Sequence, residues 1–309
     1  MKMWIACVAL LLLACSSPIP PSDIIFCQSQ NCTSALVSEL SSAQSTLHCA
    51  FYDLDLPEII AVLQKKSKTN DVKLVMDRDN YNPSILPKDR LRTNKGSQLM
   101  HNKFCVIDGK TVTTGSFNPT YNDAYVNDNN LVVIDSVEMA LVYETEFAEL
   151  WQGKFGKGNH SKNSFGNANV YFCPEDHCAD RLRSEIKKAE HNIRFMVFSF
   201  THSGVGNELI LAYERGIHIE GIFDKSQNSR FSQAKRLKAQ GMDIKIEENP
   251  GKLHHKVFII DEKTVITGSF NPSENADERN DENMVIIHDA DIAHEYLNEF
   301  QRLQENRNI

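Results

Sequence analysis

His101-Asn102-Lys103-Phe104-Cys105-Val106-Ile107-Asp108 and His254-His255-Lys256-Val257-Phe258-Ile259-Ile260-Asp261 are two copies of one pattern, His-x-Lys-x4-Asp. Each copy leads into the same tail, Gly115-Ser116-Phe117-Asn118-Pro119 in the first and Gly268-Ser269-Phe270-Asn271-Pro272 in the second. The displacement is 153 residues throughout (101 to 254, 108 to 261, 115 to 268). A His and a Lys alternating along one strand can be a solvated edge, but two copies in one register with one tail cannot be explained that way. Side chains two apart on a strand share a face, so each copy presents its His and Lys together.

The repeat extends well beyond the motifs. Cys27-x4-Cys32 and Cys173-x4-Cys178 are 146 residues apart, and Asp77 and Asp224, each ending an apolar strand, are 147 apart. The spacing predicts strands at Ile24–Phe26, Thr46–Leu54, Asp71–Met76, Lys103–Ile107, Thr111–Thr114 and Leu131–Ile134. It predicts helices at Thr33–Gln44, capped by Thr33 or Ser34, from Pro57 through Lys66, and at Val137–Trp151. Asp108-Gly109-Lys110 reads as a hairpin turn, Asn80–Gly96 as irregular and basic, and the stretch from Gly115 to Asn130 as a polar loop.

The second half retraces this path, with one added helix at Gln233–Gln240 that accounts for the growth of the offset from 146 to 153. The parts are a leader and short tether at 1–22, a first repeat at 23–152, a Gly- and Asn-rich linker at 153–169 and a second repeat at 170–309. Strands alternating with helices predict an α/β fold.

The full length of 309 residues is enough for one large or two ordinary domains. The net charge of −8 gives no global basic field for collecting nucleic acid. Met1-Lys2-Met3 and the apolar run Trp4–Ala14 read as a signal peptide, too short to span a bilayer. Leu12-Leu13-Ala14-Cys15 looks like a lipobox, which would make Cys15 the lipidated N-terminus of an exported protein held on a bacterial membrane. The outer membrane or periplasmic face is the expected place, and an ordinary cleaved leader with a secreted or periplasmic product is the alternative. In an oxidising compartment Cys27–Cys32 and Cys173–Cys178 are expected as local disulfides rather than zinc ligands. Cys49 and Cys105, in apolar strand-like runs, are expected as buried free thiols.

The doubled motif resembles the signature of the phospholipase D superfamily, in which two such motifs share one active site. The resemblance covers nearly all of the mature chain. It implies two α/β sandwich repeats packed about a pseudo-twofold axis, and two-step hydrolysis of a phosphodiester with no cofactor and no metal. The residue chemistry agrees. Lys103 and Lys256 would stabilise charge on the non-bridging oxygens, one of His101 and His254 would attack phosphorus, and the other would protonate the leaving oxygen. By resemblance His101 is assigned as nucleophile and His254 as acid/base.

Ser116, Asn118, Ser269 and Asn271 match the family's G-S-x-N positions, where they would bind phosphate or hold the His–Lys geometry; a turn that needs these residues for its backbone alone is an equal reading, and the two are compatible. Asp108 and Asp261 belong to the motif but follow their strands at turns, where tying backbone is their expected task. The family also places an acidic residue beyond this tail to orient a catalytic His. Glu282 fits, but the aligned residue of the first repeat is Asn129, which can orient an imidazole without stabilising its charged form. Whether Glu282 serves its own repeat or the other is open in the sequence. His255 would point to the opposite strand face.

The leading expectation is hydrolysis of a phospholipid headgroup at the anchoring membrane, with no obligate protein partner. A nuclease of the same chemistry is the alternative, with Lys88–Lys95 and Lys235-Arg236-Lys238 as possible strand-binding groups. A phosphatidyltransferase and a non-catalytic binding protein rank below these.

Overall fold

The computed structural model describes residues 21–159, 164–227 and 229–305, so the expected leader and Cys15 lie outside the described residues. In the first half the strands are β1 (Asp23–Phe26), β2 (Thr46–Phe51), β3 (Asp71–Met76), β4 (Leu91–Thr93), β5 (Lys103–Ile107), β6 (Thr111–Gly115) and β7 (Asn130–Asp135). They form one mixed sheet in the order β1-β7-β6-β5-β2-β3-β4. The second half supplies β8 (Ser164–Phe165), β9 (Ala168–Cys173), β10 (Asn192–Val197), β11 (His218–Asp224), β12 (Asp243–Glu247), β13 (Lys256–Ile260), β14 (Thr264–Gly268) and β15 (Glu282–His288). Its order, β12-β11-β10-β13-β14-β15-β9-β8, is that of the first sheet with β8 added at one edge. In both sheets three neighbouring strands run parallel and the motif strand, β5 or β13, pairs antiparallel with the first of them.

The helices are α1 (Cys32–Ser42), α2 (Pro57–Lys66), α3 (Tyr121–Tyr125), α4 (Val137–Trp151), α5 (Cys178–Lys188), α6 (Ser203–Glu214), α7 (Ala234–Ala239), α8 (Glu274–Glu278) and α9 (Ala290–Glu305). α1 and α2 cover the outer face of the first sheet, with Leu36, Leu40, Ile59 and Leu63 buried against Leu47, Cys49 and Leu74. α5, α6 and α7 cover the outer face of the second with Leu182, Ile186, Leu209 and Leu237. Between the sheets, α4 and α9 join the two inner faces in one apolar cluster that includes Phe104, Tyr143, Phe147, Phe172, Val257, Tyr296 and Phe300. Both motif strands are thereby covered on both faces, which is why they read as nearly unbroken apolar runs.

Several sequence expectations are corrected here. Cys49 and Cys105 are not free thiols: they are directly opposed on β2 and β5, their Cα atoms are 4.1 Å apart, and they form a disulfide. Partners 56 residues apart in sequence become neighbours only through strand pairing, which spacing does not disclose. The local bridges Cys27–Cys32 and Cys173–Cys178 are both present. The second sheet already begins at Ser164, inside the stretch read as linker. α1 is capped by Asn31, whose side chain accepts from the Ser34 N–H, not by Thr33 or Ser34. The polar loop after Gly115 contains α3, and the basic stretch contains the edge strand β4.

Candidate active site

His101 and His254 line the same cavity, about 460 Å³ in volume, at the seam between the halves. Reciprocal backbone bonds hold them there. The His101 N–H donates to the Asp281 carbonyl and the His254 N–H to the Asp128 carbonyl, both at 2.9 Å. Asp281 and Asp128 donate in return to Leu99 and Lys252. Each motif is thus pinned by the segment that ends at the acidic or amide position of the other half. Paired contacts of this kind are those of a twofold relationship between the repeats.

The side chains cross the seam in the same way. His101 Nδ1 donates to Glu282 Oε2 at 2.8 Å, and His254 Nδ1 donates to Asn129 Oδ1 at 2.8 Å. The hydroxyl of Ser269 donates to Glu282 at 2.6 Å, and that of Ser116 lies 3.3 Å from Asn129 Oδ1. The G-S-x-N serines therefore steady the groups that orient the histidines. Engagement of Nδ1 fixes the tautomer and leaves Nε2 of each ring for chemistry. Tyr52 and Phe198, aligned 146 residues apart, pack edge-on against His101 and His254, with ring centroids 4.8 and 5.0 Å away.

A carboxylate that the sequence reading missed completes the first half's contribution. Asp123, on α3, places Oδ2 3.2 Å from His254 Nδ1. The same carboxylate accepts from the Asn118 backbone and side chain and from Asn127. The signal was available at position 123, where the repeat-related residue, 153 further on, is Ala276.

Lys103 and Lys256 are buried, and each donates to the carbonyl of its own motif His, at 2.6 and 2.7 Å. The Lys103 ammonium also lies over the Tyr52 ring and that of Lys256 over Phe198, 5.1 and 5.4 Å from the ring centroids. Burial lowers the Lys103 ammonium to about 8 despite Glu282 and Asp123. Burial and then the charge of Lys103 lower Lys256 to about 7. Burial also lowers His254 to about 4 against the pull of Asp123, and lowers His101 against that of Glu282. All four shifts have the same first cause: burial disfavours the charged form of each group.

Asn118 and Asn271 line the cavity, as do Lys252 and Gln227. Asp108 and Asp261 do not reach it. They occupy left-handed turns at the far ends of β5 and β13, roughly 20 Å along the strand from the histidines. The Asp108 carboxylate accepts from the N–H groups of Gln44, Ser45 and Thr46, and Asp261 from those of Glu190, His191 and Asn192. Burial raises the Asp108 carboxyl, but these donors outweigh it and hold it at about 2. Both residues stitch the hairpin to the head of the neighbouring strand, the backbone-tying task expected from their turn positions, and although they belong to the motif they take no place among the catalytic residues. His255 points away from the cavity and is buried between Asn130 and Glu299. Neither basic stretch lines the cavity. Arg92 and Lys95 border a separate space of about 710 Å³ beside Trp151, and Arg236 bonds Gln233 and Asn207. Among the described residues no group of three or more His, Cys, Asp or Glu could hold a metal ion.

The family model described as "Cardiolipin synthase, PLD-like domain" matches residues 36–151 and 182–304. "Phospholipase D" of Rickettsia conorii is 36% identical over 140 residues, which are 45% of this chain and 70% of that protein. "Mitochondrial cardiolipin hydrolase" of Homo sapiens is 30% identical over 129 residues, 41% of this chain and 51% of that one, so the match spans about half of that relative. The crystal structure of phosphatidylserine synthase from Haemophilus influenzae superimposes with a TM-score of 0.68 at 13% identity, covering 94% of this chain and 88% of the other, a likeness of fold alone. With both halves matched by the family model and both motifs converging on one cavity, this chain belongs to the phospholipase D superfamily.

Proposed function

We propose that this protein hydrolyses the headgroup phosphodiester of a phospholipid through a phosphohistidine formed on His101, without a metal. The observation that carries the reading is the pairing of His101 and His254 across one cavity, each with Nδ1 engaged by the opposite half. In the first step His101 Nε2 attacks phosphorus and the bond to the headgroup oxygen breaks. His254 Nε2 gives that oxygen its proton. In the second step water attacks the phosphohistidine, His254 takes the water's proton, and phosphatidic acid leaves with His101 restored.

Lys103 and Lys256 hold the non-bridging oxygens as charge builds on them. A bound phosphodiester anion raises the proton affinity of His254 from its low resting value, so that the imidazolium forms only beside substrate. Asn118 and Asn271 complete the phosphate cradle. Phospholipid is favoured over nucleic acid because neither basic stretch borders the cavity, and because a lipidated Cys15 would hold the enzyme on a membrane. The names of the bacterial and human relatives point the same way.

The test offers purified protein phospholipid vesicles and single-stranded nucleic acid in the presence of chelator, with His101→Ala as the blank. Chelator-resistant headgroup release that the blank lacks is the expected result. Cleavage of nucleic acid with lipid untouched would replace the phospholipase reading with that of a nuclease.

A further inference from the structure

The repeats are unequal at two aligned positions, and the inequalities offset each other. Where the second half has Ala276 and Glu282, the first has Asp123 and Asn129. Both histidines nevertheless have one carboxylate within 3.2 Å of Nδ1, Glu282 for His101 and Asp123 for His254. We propose that Asp123 is the positioning carboxylate of His254, taking from α3 the part that position 129 would have played as Glu. The proposal deepens the hydrolase reading and rests on it only for its activity measurements.

The local structure explains how this exchange is possible. α3 and α8 are matching short helices, capped by Thr120 and Ser273, whose hydroxyls accept from the N–H three residues on. That third residue is Asp123 in one half and Ala276 in the other, and both line the cavity. A carboxylate at this position thus lies beside the opposite half's imidazole without any change of backbone plan. Asn129 keeps the orienting bond to Nδ1, and its own amide is held by the Asp123 and Asn127 carbonyls. Orientation and charge compensation, combined in Glu282 on one side, are divided between Asn129 and Asp123 on the other. Burial raises the Asp123 carboxyl, but His254 and the donors from Asn127 and Asn118 outweigh it, so the group is an anion.

The test uses Asp123→Ala, Asp123→Asn and the double variant Asp123→Ala/Asn129→Glu, which copies the Ala276/Glu282 arrangement into the first half. Asp123→Ala and Asp123→Asn should each lower kcat about 10²-fold or more with KM little changed. The double variant should recover to within about tenfold of the parent, a general acid–base contribution being worth 10²–10⁴-fold. A second readout is independent of turnover: the imidazole resonances of His254, titrated with inorganic phosphate bound, should move to lower pKa in the single variants and return in the double.

Equal losses of kcat in single and double variants, with Tm lowered and the His254 titration unmoved, would reduce Asp123 to a support for Asn118 and Asn127. Full activity in Asp123→Asn would overturn the proposal outright. If the parent protein cleaves no phosphodiester, the titration alone decides the role of Asp123, and the failure belongs to the hydrolase reading.

Discussion

Glu282 stands in the second half of the chain, and its Oε2 lies 2.8 Å from Nδ1 of His101 in the first. Glu282 is 1% exposed, so this is a desolvated ion–dipole contact rather than a surface pairing. It makes the first motif incomplete without the second half, and the bond from His254 to Asn129 makes the converse true. The two sheets are consequently parts of one catalytic unit rather than two tandem copies of it.

Replacing Glu282 with Gln keeps an acceptor for Nδ1 and the bond from Ser269 but removes the charge that stabilises an imidazolium. The expected result is a fall in kcat of about 10²-fold with KM nearly unchanged, read from steady-state kinetics. Thermal unfolding should move little, because the Gln side chain fills the same volume.

The buried lysines make a prediction about stability and pH. The folded-state value for Lys256 is about 7, below its ordinary 10.5, so between these values the unfolded chain binds more protons than the folded one. Stability therefore rises with pH through that window, and the full cost of the buried charge is present below about pH 7. Lys256→Met removes the cost, fills the space with a flexible apolar chain and leaves the His254 carbonyl without its donor. A net gain of about 1–2 kcal/mol at pH 6, or roughly 3–6 °C in Tm, is expected, fading towards pH 10. Activity should be lost at every pH. A Tm that falls equally at both ends of the range would mean that the ammonium is not desolvated.

The disulfide between Cys49 and Cys105 links the motif strand β5 to β2. Titration of thiols in denaturant without reductant should find none at the six described cysteines. Cys49→Ser with Cys105→Ser should lower stability by about 2–4 kcal/mol, measured by denaturant unfolding. Thiols located at Cys49 and Cys105 by peptide mapping of the parent protein would contradict the pairing.

Much of this architecture was legible because the repeat doubled every local signal. The strand carrying Lys103 to Ile107 and its turn at Asp108-Gly109 were readable from an unbroken apolar run and a turn pair, and the second copy fixed their register. Edge strand β4 covers only Leu91–Thr93, too short for periodicity to register. Helix α3 is five residues long and mostly polar, so it passed for loop, and Asp123 passed with it. The direction in which Glu282 reaches depends on how two sheets pack through α4 and α9, which no local pattern encodes. The bridge from Cys49 to Cys105 was hidden for the same reason: it follows from pairing between strands far apart in sequence.

The central claim is that the halves build one phosphodiesterase site whose covalent intermediate forms on His101. Mass spectrometry of protein quenched at alkaline pH during turnover of a phospholipid substrate tests it most directly, with proteolysis to locate the adduct. The account predicts at most one phosphoryl-linked adduct per chain, carried by the peptide containing His101, and its absence from His101→Ala. An adduct on His254, or one that survives in His101→Ala, would contradict it.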